Sequence, residues 1–159
     1  MQEGVVHALR DQRAQIHVRW ETLLRTERVT SPMANPDTLV YLIDSTLDEL
    51  FSALPTLDST RRHHRGSTEC PCGRNPLLAY FHAGEQVILE ALVLIQAVTP
   101  NLIPADRDAA VAELQGLIRL LANREIKAFC AVCQYRTGEH DAPAHLHSCA
   151  HARTPTSLA

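Results

Sequence analysis

The sequence predicts an all-α chain folded as an up-down-up-down four-helix bundle. Three observations carry this expectation. Apolar residues recur at spacings of three, four and seven along most of the chain, the signature of amphipathic helices. Two Asn-Pro dipeptides, at 35–36 and 75–76, stand where helices should begin. No stretch alternates apolar and polar side chains at the period of a strand, and no internal repeat is present.

Composition narrows the class further. A chain of 159 residues with 45% apolar and 21% charged side chains is an ordinary globular composition. One domain of this length buries about two-thirds of its unfolded surface. Lys plus Arg is 15 against 18 Asp plus Glu, and this net charge of −3 argues against non-specific binding to nucleic acid or an anionic membrane. The N-terminus lacks the charged and apolar regions of a leader. The densest apolar run, 87–98, is short and holds Glu90 and Gln96, so it does not read as a membrane span. A cytoplasmic location is expected, where paired thiols stay reduced and favour metal over disulfide.

The first helix is expected over 5–28. Leu9, Ile16, Trp20, Leu23 and Leu24 form its stripe, and Val29-Thr30-Ser31-Pro32 ends it. Trp20 reads as a core anchor, with a partner-facing contact as the alternative. The second helix starts at Asn35-Pro36-Asp37, an N-cap, a first-turn proline and an acid. It carries Leu39, Leu42, Ile43, Leu47, Leu50, Phe51 and Leu54 towards Pro55, with Asp44, Asp48 and Glu49 on its solvent face.

A connecting segment over 56–75 includes Arg61-Arg62-His63-His64-Arg65, a solvated loop or an anion site. The third helix runs from Asn75-Pro76 to Val98. Its half from Val87 to Ile95 is apolar nearly all round, which calls for cover on most faces. It is the central helix of the bundle or the seam of a homodimer. The proline-bounded link 99–104 makes the fourth helix its antiparallel neighbour. Val111, Leu114, Leu117, Ile118, Leu121 and Ile126 continue the stripe to Phe129 and Cys130. The bundle is thus assigned to 1–137 and a C-terminal tail to 138–159.

The candidate site is a metal centre of Cys70, Cys72, Cys130 and Cys133. Closely spaced cysteine pairs offer thiolates to zinc in tetrahedral S4 geometry. Cys72 lies 30 residues before Leu102 at the middle of the helical link, and Cys130 lies 28 residues after it. Two helical arms of similar length, rising ~1.5 Å per residue, bring the pairs to one height on the bundle. Cys70 and Cys72 precede a helix N-terminus, where the dipole favours thiolate. Cys130 and Cys133 lie at a helix C-terminus, where it does not, so their thiolates depend on the metal. Zinc is the expected cofactor. Three cysteines with one histidine, an iron–sulfur cluster, thiol–disulfide chemistry and no ligand at all remain alternatives.

The tail adds His140, His145, His147, Cys149 and His151 as secondary ligand candidates. It reads as a frayed end that collects metal, a folded second site or a flap over the cysteine centre. His82 and Glu85, three apart on the third helix, resemble half of a di-iron ligand set. The second half is missing, so a buried hydrogen-bonded pair is expected.

The segment Ile16-His17-Val18-Arg19-Trp20-Glu21-Thr22-Leu23-Leu24 resembles the amino-terminal all-helical domains of bacterial RsbR-type stress regulators and some sensor kinases. The resemblance covers about a third of the chain. It implies a regulatory or sensory bundle and transfers no ligand or catalytic residue.

Two functions compete. The first is a non-catalytic, cytoplasmic zinc-binding module for regulation, sensing or interaction, dimeric through its third helix and open to a protein partner. The second is a thiol-redox or metal-dependent enzyme using Cys130 and Cys133. Redox pairs favour a helix N-terminus, and four cysteines close a zinc site to substrate, so the first reading leads.

Overall fold

Each helix start encoded by Asn-Pro forms as expected. In the computed structural model, which describes residues 1–26, 35–56 and 75–132, Asn35 Oδ1 accepts from the Asp37 amide and Asn75 Oδ1 from the Leu77 amide, both at 3.0 Å. A proline follows each cap, where a missing N–H costs nothing. Among the described residues the chain is all-helical and no strand forms. The elements are α1 (Glu3–Asp11), α2 (Arg13–Thr26), α3 (Pro36–Val40), α4 (Ile43–Ala53), α5 (Pro76–Val98) and α6 (Pro104–Val132). A 3₁₀ turn, Leu54–Thr56, closes α4.

Two expected helices are interrupted. The first breaks at Gln12, whose φ of −87° and ψ of 7° leave the helical well, between α1 and α2. The polar pair Gln12-Arg13 stands where the apolar stripe would continue. Arg13 instead reaches α4, bonding Asp48 Oδ1 at 2.5 Å and Asp44 Oδ1 at 3.0 Å. The second breaks at Tyr41 and Leu42, between α3 and α4. Val40 and Tyr41 are weak helix formers, and Tyr41 is 85% exposed. Leu42, assigned by its spacing to the core stripe, is correspondingly exposed, whereas Leu39, Ile43, Leu47, Leu50, Phe51 and Leu54 are buried.

Helix α5 organises the packing. It lies against α6, α2 and α1, while α4 contacts α6 and α2. Three polar contacts give the α5–α6 pair its direction. Asn75 bonds the Ile126 carbonyl, Glu85 meets Gln115 and Arg119, and Gln96 donates to the Arg107 carbonyl at 3.2 Å. Partners descend along α6 as they ascend α5, which is the antiparallel order expected of a short link. Within that link Asn101 takes the left-handed conformation (φ 64°) that asparagine tolerates, and Leu102 is buried.

Trp20 is the anchor of the core, as expected, at 1% exposure. Its indole N–H donates to the Tyr80 carbonyl at 3.0 Å, and its ring lies 4.8 Å from that of Tyr80 at an interplanar angle of 33°. The indole also lies on Gly84, where an added Cβ would stand 2.2 Å from Trp20 Cζ2. A glycine inside a helix costs up to about 1 kcal/mol against alanine, and here it provides the room the indole occupies.

Helix α5 is longer than the apolar run 87–98 that reads as too short for a membrane span. The apolar run 87–98 extends upstream through Leu77, Leu78, Ala79, Tyr80 and Phe81. The resulting helix has 23 residues and is long and apolar enough to cross a membrane by length and composition alone, a test that the buried core helix of a globular fold also meets. Half of that window is buried within the fold. Its outer face changes character along its length. His82, Gln86 and Glu90 are exposed first, then Val93 (54%), Leu94 (64%) and Val98 (82%), followed by Ile103 (57%) beyond the turn.

Candidate functional site

The cap that starts α5 also reaches the end of α6. Asn75 is 3% exposed, and its side chain is used at both ends. Its oxygen caps α5. Its amide nitrogen donates to the Ile126 carbonyl at 3.3 Å and to the sulfur of Cys130 at 3.5 Å. The Ile126 carbonyl lies before the last turn of α6 and takes this donor from the neighbouring element in addition to its place in the helical ladder. The half-buried Cys130 thiol packs against the core at the same point.

Of the predicted ligands, Cys130 alone falls within the described residues. Cys70, Cys72 and Cys133 lie outside them, as do His140, His145, His147, Cys149 and His151 and the basic run Arg61–Arg65. Among the described residues, no three His, Cys, Asp or Glu side chains group as a metal site.

The expectation for His82 and Glu85, which lie on α5, needs correction. His82 is exposed rather than buried, and no bond joins it to Glu85. Glu85 instead accepts from Gln115 Nε2 at 2.6 Å and Arg119 Nη2 at 3.1 Å across the α5–α6 seam. The seam holds the carboxylate because a guanidinium and an amide both donate to it there. The two residues flank a shallow cleft of about 70 Å3.

A larger cleft, about 200 Å3, opens between α4, α5 and α6 over Leu77, Tyr80 and Phe81. Tyr80 and Thr46 share a hydrogen bond of 2.8 Å at its floor. Burial pushes the Tyr80 hydroxyl well above its ordinary range, against the smaller opposing effect of Thr46, so it stays protonated. At the rim, Arg124 forks onto Glu49, with Nη2 to Oε2 at 2.6 Å and a second contact to Oε1. Arg124 also bonds Glu125 at 2.7 Å. That guanidinium holds the Glu49 carboxyl below its usual range. Asp44, Asp48 and Glu49 are thus solvent-facing as expected, and they also tie α4 to α2 and α6. The rim arginine is thus engaged by two carboxylates, Glu49 and Glu125.

The role of Asn75 beyond capping escapes sequence reasoning. Its signal was its position, since the cap sits three residues after Cys72 in an arm matched in length to the one that ends at Cys130.

The geometry defines a class of protein: an all-helical chain whose antiparallel α5–α6 pair ends in a thiol held against a buried cap. Comparison with protein-family models, with curated proteins and with solved structures finds no match in any of the three.

Proposed function

We propose that this chain is a four-helix, zinc-binding regulatory or sensory module of the cytoplasm, with zinc held by Cys70, Cys72, Cys130 and Cys133. One observation carries the reading: the hydrogen bond from Asn75 Nδ2 to Cys130 Sγ at 3.5 Å. Cys72 is three residues from Asn75 in the chain, and three peptide links span at most ~11 Å between Cα atoms. Cys133 directly follows the last residue of α6. Chain connectivity therefore allows both pairs to reach one ion, whose Zn–S bonds are ~2.3 Å. The metal is structural in this reading. It fastens the start of α5 to the end of α6, and its loss by chelation or thiol oxidation releases them. A thiolate site of this kind persists where thiols stay reduced, which supports the cytoplasmic assignment.

The test is elemental analysis with thiol titration on the full chain and on a chain shortened to 1–137. One zinc in each, with four thiols protected until chelator is added, is the expected result. Metal-free protein with fully reactive thiols would sink the reading. Zinc bound to the full chain alone would move the site to the histidines of the tail.

The module is proposed to act as a homodimer through α5. Support comes from the exposed Val93, Leu94 and Val98 on its outer face, a larger apolar display than scattered surface residues make. Light scattering should give twice the 17.6 kDa chain mass for the parent and a single chain for Leu94→Glu combined with Val98→Glu. A monomeric parent refutes the dimer.

A further inference from the structure

We infer that the cleft between α4, α5 and α6 binds a small organic cation with a flat apolar body and a hydrogen-bond donor at its buried end. The inference is independent of the zinc reading and goes beyond it. The size, the hydrogen-bonding capacity and the charge of the cleft each narrow the ligand.

Size sets the scale. The cleft holds about 200 Å3 over Leu77, Phe81 and Leu121, with the part-exposed Leu42 beside them. A closed apolar cavity of about 150 Å3 accepts benzene, so a single ring with a short arm fits here. Phe81 and Leu121 are themselves buried in the core, which gives the ring a firm wall.

Hydrogen counting at the floor defines what the inner end of the ligand must offer. Thr46 has one hydroxyl hydrogen. It goes to the Leu42 carbonyl at 2.9 Å. The 2.8 Å bond between Thr46 and Tyr80 is then donated by Tyr80. With that direction reversed, the Tyr80 hydrogen would have no acceptor among the described residues, and a buried donor left unmade is costly. Burial keeps the Tyr80 hydroxyl protonated, and the nearby Asp44 carboxylate acts in the same direction. The Tyr80 oxygen therefore meets the cleft as an acceptor with lone-pair capacity to spare. A ligand hydroxyl or N–H satisfies it, whereas a carboxylate does not.

Charge selects the outer end. Two carboxylates, Glu49 and Glu125, face the single guanidinium of Arg124, an excess of one negative charge among the described lining residues. Arg124 bonds Oε1 of Glu125, and Oε2 of that half-exposed side chain is left for a second cation. An ammonium there gains a charge-assisted bond without being fully removed from water. An anion would meet the excess charge at the rim and an acceptor at the floor.

The experiment is a heteronuclear NMR titration of the full chain with four matched probes. Tyramine carries both polar groups, phenethylamine lacks the hydroxyl, para-ethylphenol lacks the ammonium, and para-hydroxyphenylpropionate reverses the charge. Tyramine should give saturable shifts centred on Thr46, Tyr80 and Leu121. Phenethylamine and para-ethylphenol should each bind about fivefold more weakly, the worth of one net hydrogen bond, and the propionate most weakly of all. Tyr80→Phe should weaken tyramine about fivefold and leave phenethylamine unchanged, whereas a general loss of packing would weaken both. Glu125→Gln should lower tyramine to the level of para-ethylphenol. This rim variant decides the matter if Tyr80→Phe fails to fold. No saturable shifts at the cleft, four probes within twofold of one another, or variants that keep the parent preference would each overturn the inference.

Discussion

Gly84→Ala should destabilise the chain by about 1–3 kcal/mol, the cost of overpacking a closed core. Two effects oppose each other. Alanine is the better helix former by about 1 kcal/mol, so on an open helix face the change would stabilise. Here the new Cβ stands 2.2, 2.5 and 2.6 Å from Cζ2, Cη2 and Cε2 of Trp20, well inside contact distance. The indole cannot step aside cheaply, since it is 1% exposed and its N–H is committed to the Tyr80 carbonyl. Urea unfolding followed by Trp20 fluorescence, the chain's one tryptophan, gives the measurement. A variant as stable as the parent would refute the packing account. The same substitution made on top of Trp20→Phe should cost less, because the smaller ring leaves space for the methyl group, and a double-mutant cycle reads that coupling directly.

The second large effect concerns the metal. A ligand that binds only the folded chain raises stability by about 4 kcal/mol at a thousand times its dissociation constant. Zinc at that excess should therefore raise the urea midpoint, and chelator should return it to the metal-free value. The metal-free chain is expected to remain folded, because Trp20, Leu47, Ile88, Leu92 and Leu114 are fully buried in a core that the half-buried Cys130 only borders. Cys130→Ser should abolish most of the zinc-dependent increment while leaving the metal-free midpoint nearly unchanged. Equal midpoints with zinc and with chelator would remove the structural role assigned to the ion.

What the sequence disclosed follows the range of the interactions involved. The starts at Asn35 and Asn75 were legible because a cap bonds an amide two residues away. Trp20, Leu47 and Leu114 were legible as core because the helical period places them on one stripe. The breaks at Gln12 and Tyr41 were not. Arg13 leaves the first stripe for carboxylates more than 30 residues along the chain, and no local pattern announces that. Gly84 carries no local signal of its role, which depends on Trp20 lying against it from another helix. The expected burial of His82 failed for a related reason, since Glu85 was claimed by residues of another helix. At the candidate centre, matched arm lengths anticipated which helix ends would meet. They could not show that an asparagine side chain would join them.

Helix α5 runs unbroken from Pro76 to Val98. At ~1.5 Å per residue, Asn75 and Val98 stand roughly 35 Å apart on one rod. One end of that rod meets the Cys130 thiol, and the other carries the exposed Val93, Leu94 and Val98. If zinc binding at one end changes how the rod is seated, self-association at the other end should change with it. Thermodynamic linkage makes that exchange symmetrical: whatever factor zinc contributes to self-association, self-association returns to zinc affinity.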